Sequence, residues 1–218
     1  MTRKSAPGRA GAFALAFAAP ATPAAAHATF KGIGTFYNYM FHPFSVPAHM
    51  MVLIAVGLML GQQRRRIGGL GLRAVAAGLG VGLSFDAAAG NETLPETSLL
   101  VVAALLGAAV SLGRSAPSVL AMLGAGLAGL VVGLDSAPGI ANKYTSALAY
   151  AGLVFGVMWI VTIVSGYTVD LTKNWQSIGK RVVGSWIVAA SLLVLTLSLH
   201  PPAKQSIAAV QSNALHDQ

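Results

Sequence analysis

Hydrophobic and polar positions alternate in long blocks, not residue by residue. After a polar and small-residue beginning, six apolar stretches follow at about 41–61, 68–89, 97–113, 117–134, 144–169 and 182–199. Each approaches the ~20 residues that a helix needs to cross ~30 Å of hydrocarbon, the third and fourth being short. The runs are continuous and lack the period-two pattern of a membrane β-barrel. The pattern predicts an all-α membrane protein, a bundle of six transmembrane helices in one domain spanning 29–200. A polar tail, PPAKQSIAAVQSNALHDQ, follows at 201–218.

The first 28 residues read differently. Arg3, Lys4 and Arg9 precede the short apolar core GAFALAFAA, and PATPAAAHA then supplies small residues suited to cleavage near 26 or 28. That order is the pattern of a secretory signal peptide, whose core is too short to span a bilayer. Its removal places the mature N-terminus outside. Charge agrees with this topology: Arg64, Arg65 and Arg66 follow the first span, Arg114 the third, and Lys173, Lys180 and Arg181 the fifth. Glu92, Glu96, Asp135 and Lys143 fall in the alternate loops. The positive-inside rule then predicts an outside start, six crossings and an outside tail, in the inner membrane of a bacterium.

Composition narrows the chemistry. The chain has 55% hydrophobic and 9% charged residues, with a net charge of +8. In a soluble protein that charge would suggest nucleic acid. Here the basic residues sit in short loops beside apolar runs, so the partner they imply is the bilayer. Cysteine is absent, which excludes disulfides, thiolate metal sites and cysteine nucleophiles. No phosphate-binding loop, dinucleotide fingerprint or HExxH motif occurs, and no nucleophile with a matching base stands out. Neither an enzyme nor a resident cofactor is expected. Small residues recur at helical spacing in GLGVGLSFDAAAG and LGAGLAGLVVG, and such faces let helices approach closely in lipid.

Few ionisable side chains enter the spans, and four of them are candidate metal ligands: His42, His49, Asp86 and Asp135. In FHPFSVPAHMM, His42 and His49 are seven apart, so a regular helix projects both from one face. Their axial separation is then ~10 Å, too long for both rings to hold one ion at ~2 Å. They form two stations on a path unless the backbone is irregular. Pro43 and Pro47 favour irregularity, because each removes a donor and frees a carbonyl one turn back. Asp86 in GLSFDAAAGN and Asp135 in GLDSAPGIAN fall near the same outer end and faintly echo one another. Imidazole with carboxylate suits a borderline divalent ion such as nickel, cobalt, copper or zinc.

The order of signal peptide, HPFxxxxH and the apolar AVGL run resembles the HupE/UreJ hydrogenase and urease accessory permease family, with first-helix pattern HPxxGxDHxLAMxAVG. GLDS at 133–136 and RVVGSWIVAASLLVL at 181–195 look like later pieces of a divergent branch. His42, Pro43 and His49 match the pattern. Ala48 stands in place of its aspartate, Val46 in place of its glycine, and the family's HGxAHG stretch has no counterpart. The resemblance implies a secondary permease for a divalent transition-metal cation, nickel or cobalt favoured, as transported substrate. The alternative is a non-transporting membrane partner that docks a metalloenzyme during its maturation.

Overall fold

In a computed structural model, residues 32–89, 96–136 and 143–199 are described, without the side chains of 86–89. The signal-peptide segment, Glu92 and the tail lie outside the described residues. Among the described residues seven helices follow in order: α1 Gly34–Ser45, α2 Pro47–Gly61, α3 Arg65–Ala89, α4 Glu96–Ser111, α5 Ser118–Asp135, α6 Lys143–Asp170 and α7 Asn174–Leu199. No strand occurs among the described residues. By length and apolar character α3, α5, α6 and α7 can each cross a membrane, and α1 with α2 forms one broken pair bent by 79°. At 16 residues, α4 is apolar but shorter. The all-α membrane class expected from the apolar blocks is what the chain forms.

Two helices outrun the apolar stretches that predict them. The first begins at Gly34, not near 41, and α7 begins at Asn174, eight residues before 182. Hydropathy stops at polar residues, but the backbone has no such reason to stop. In lipid or at its surface, intrahelical bonds satisfy the peptide groups whatever the side chain. The helix therefore runs on through Lys180 and Arg181.

Helix α2 is the axis of the bundle. It packs against each of the other six helices, and Val52, Leu53, Ala55 and Val56 have no exposed surface. A helix enclosed on all sides needs no polar face, and PAHMMVLIAVGLMLG has none apart from His49. Around it, glycines set the approach of the outer helices. A Cβ on Gly78 would strike the Gly126 carbonyl, and one on Gly129 would strike that of Val75, so α3 and α5 meet backbone to backbone. These glycines belong to the two small-residue stretches singled out above. Gly152 and Gly156 of α6 lie equally close to the carbonyls of Phe36 and Met40 in α1. A Cβ on Gly107 of α4 would lie 2.9 Å from the carbonyl of Gly184 in α7. Close approach of this kind replaces the hydrophobic force that lipid cannot supply.

The helix ends fall into two groups. Gly61, Gln63, Gly113, Leu171 and Lys180 line one cavity, so the ends of α2, α4 and α6 and the start of α7 meet at the arginine-rich end. His49 and Asp135 meet at the other. The glycine seam yields a direct test. Gly129→Leu should overpack α3 against α5 and cost about 1–3 kcal/mol, seen as a lower thermal midpoint in detergent. Gly80→Ala, with nothing within 4 Å of the added Cβ, should leave that midpoint unchanged or raise it.

Candidate metal site

The site starts from a proline. The residue before a proline is pushed out of the helical region, because the ring's Cδ collides with the preceding backbone. Val46 accordingly has φ −104° and ψ 109°, ending α1, and Pro47 starts α2 at a position where its missing N–H costs nothing. Pro43, by contrast, lies inside α1 without breaking it. The Ser45 hydroxyl donates to the His42 carbonyl at 2.8 Å in the last turn of α1.

This break overturns the spacing expected of a straight helix. The 79° bend folds α1 over the start of α2 and brings the His42 and His49 ring centroids to 5.5 Å, their planes at 67°. Two imidazoles sharing one ion at ~2 Å have centroids roughly 5–6 Å apart. The centroid spacing is compatible with one ion shared by both rings and much shorter than the ~10 Å of a straight helix. His42 is half-buried and also faces Tyr39, with centroids 6.3 Å apart. His49 is completely buried.

Asp135 arrives from the far end of the sequence. It is the last residue of α5, carried by the α3–α5 seam to the mouth of α2, where its Oδ2 lies 2.9 Å from His49 Nε2. A carboxylate only accepts, so the imidazole N–H donates. In the neutral ring that leaves a lone pair on Nδ1, and Nδ1 is buried with no hydrogen-bond partner among the described residues. Buried polar atoms without partners are rare and call for an explanation. Beside the carboxylate, the Ser136 hydroxyl is also buried and unpartnered.

Of the four candidates, three come together as a chain: His42 against His49, and His49 on Asp135. Asp86 lies in the last turn of α3, which runs beside α5 at this end, but its side chain is outside the described residues. Among the described residues, no three His, Cys, Asp or Glu side chains cluster closely enough to hold an ion by themselves.

Sequence reasoning passed over a second polar feature at the opposite end of α2. A cavity of about 450 Å³ there is lined by Gln62, Gln63, Thr168, Thr172, Ser177 and Lys180, among others. Its signal was the pair Gln62–Gln63 between an apolar run and three arginines. Between this cavity and His49, α2 packs closely on α6, with Gly57 against Val164 and Gly61 against Thr168.

The pair predicts a non-additive cycle. Asp135→Leu strands the buried His49 N–H and should cost about 1–3 kcal/mol, whereas Asp135→Leu together with His49→Leu should cost less than the sum of the two single leucine changes. Unfolding of the four proteins in detergent measures this, and strictly additive losses would contradict the pairing.

A family model described as HupE / UreJ protein matches residues 15–194. No curated protein and no solved structure matches the chain. With most of its length matched from before α1 into α7, the chain belongs to the HupE/UreJ family, a family of metal-transport and accessory proteins and not of enzymes.

Proposed function

We propose that the protein is a secondary permease for a divalent transition-metal cation, nickel or cobalt favoured, and that His42 and His49 bind one ion in transit. The observation that carries this reading is the buried, unpartnered Nδ1 of His49 beside a second imidazole, while its Nε2–H is held by Asp135. A carboxylate behind a histidine fixes the tautomer and raises the basicity of the nitrogen that meets the metal. Asp135 then acts through His49 rather than touching the ion. Water fills the remaining positions, and Asp86 stands on the same end of the bundle as a further acceptor. Borderline divalent ions accept this mixture of imidazole and oxygen.

The path runs from the histidine end along α2 toward the polar cavity at the arginine-rich end. In that orientation all six apolar elements cross, α4 included, and both termini lie outside, as the positive-inside rule requires. An inward-moving divalent ion gains ~2.3 kcal/mol per charge per 100 mV of membrane potential, so no nucleotide site is needed. The close packing of Gly57 and Gly61 against α6 fits a conformation sealed on the inner side. The same sealed core is what favours the second reading, a docking partner in metalloenzyme maturation that moves no ion.

Uptake of radiolabelled nickel or cobalt by cells expressing the protein separates the two. His42→Ala and His49→Ala should reduce uptake to background at normal membrane levels. Asp135→Asn should instead raise the half-saturating ion concentration by about tenfold, the lower end of what loss of such a supporting carboxylate costs. Uptake equal in mutant and wild type would leave the docking reading standing.

A further inference from the structure

At the arginine-rich end, away from the histidines, α4 and α5 part to leave an apolar groove of about 870 Å³. Its walls include Leu105, Ala109, Leu120, Leu123 and Leu127, and it ends at Arg114 and Ser115. Leu105, Leu120 and Leu123 are each more than half exposed, so the groove opens outward and not into the core. Ser115 also lines the 450 Å³ polar cavity, so the two spaces adjoin at the turn between α4 and α5.

That turn is ringed by cations. Arg114 lines the groove and Lys180 the adjoining cavity, where Lys180 Nζ donates to the Leu171 carbonyl at 3.0 Å. Arg181 Nε donates to the Ser111 carbonyl at 3.1 Å, its side chain lying beside Gly113, whose φ is +66°. Among the described residues, no Asp or Glu lines either space. Gln63, about nine-tenths buried in the polar cavity, has a side-chain nitrogen with no partner.

We propose that this groove binds an anionic glycerophospholipid of the surrounding leaflet, an acyl chain lying along α4 and α5 and the phosphate meeting Arg114, Lys180 and the Gln63 amide. Charge complementarity decides the occupant. An apolar channel that ends in several donors and no acceptor carboxylate fits a molecule with a long apolar part and one anionic end. Basic pockets between transmembrane helices on the positive-inside face recognise anionic headgroups in this way. A helix from a second copy would fill the apolar part but leave the cations without an anion. Bound lipid would also support α4, a helix of only 16 residues, where its packing against α5 is sparse.

Native mass spectrometry of the full chain in mild detergent, titrated with dioleoyl phosphatidylglycerol or dioleoyl phosphatidylcholine, tests the proposal. One phosphatidylglycerol should be retained in preference to phosphatidylcholine. Arg114→Gln and Lys180→Gln should each weaken that retention about fivefold, while Arg65→Gln, on the same face outside the groove, should not. Ala109→Trp should fill the channel and weaken binding of both lipids, and Leu123→Trp on the facing wall serves if the first variant does not fold. Retention indifferent to headgroup charge or to the groove-filling variants would overturn the proposal. So would displacement of the lipid by glycerol phosphate alone, which would mark a site for free phosphate. Lipid-free dimers that dissociate in the groove-filling variants would overturn it in favour of a second copy.

Discussion

The residue before a proline is disfavoured in the helical region, and the arrangement at the histidine end depends on Pro47, and not Pro43, being the one that breaks the helix. Val46 is extended, α1 turns by 79°, and α2 starts afresh from Pro47. Had the helix continued, His42 would stand about two turns above His49. Instead the rings nearly touch, and the half-buried one covers the buried one. The same break frees α2 to run down the centre of the bundle while α1 lies against α6 through Gly152 and Gly156.

The second support is the α3–α5 seam. In hydrocarbon, apolar surface gains nothing by meeting other apolar surface, so close backbone contact must hold helices together. Gly78, Gly82, Gly129 and Gly133 provide it in a row. The consequence reaches beyond stability, because Asp135 is only two residues past Gly133. The register of that seam fixes where the carboxylate stands relative to His49. Packing and chemistry are joined within one turn of helix.

Much of this was legible in the sequence. Continuous apolar runs could only be helices, and the stretches GLGVGLSF and LGAGLAGLVVG carried the spacing of a packed seam. Pro47 marked a break, and the charge bias put His42, His49 and Asp135 at one end. What the sequence lacked was direction. A proline tells where a helix stops but not the angle at which the chain resumes, and that angle turns a ~10 Å separation into 5.5 Å. The pairing of His49 with Asp135, 86 residues apart, is a product of tertiary packing with no local trace. Helix α7 started early for a different reason: hydropathy reports lipid contact, whereas helix continuity depends on backbone bonds.

Ala48 gives the site its particular character. The HupE/UreJ pattern places an aspartate directly before the second histidine, on the same helix and therefore at a fixed distance from it. Here that position is an alanine with no exposed surface, and the carboxylate on His49 comes from α5. Neighbouring residues on a helix point about 100° apart, so an aspartate at 48 would face away from the His49 ring. The carboxylate on α5 instead reaches that ring across the helix interface. If α5 shifts against α2, the 2.9 Å bond between His49 and Asp135 lengthens and weakens. On the permease reading proposed above, such a shift would loosen the support of His49 without any change at the histidines themselves. Asp135 lies two residues past Gly133 in the same helix, so a displacement along the α3–α5 seam carries the carboxylate with it.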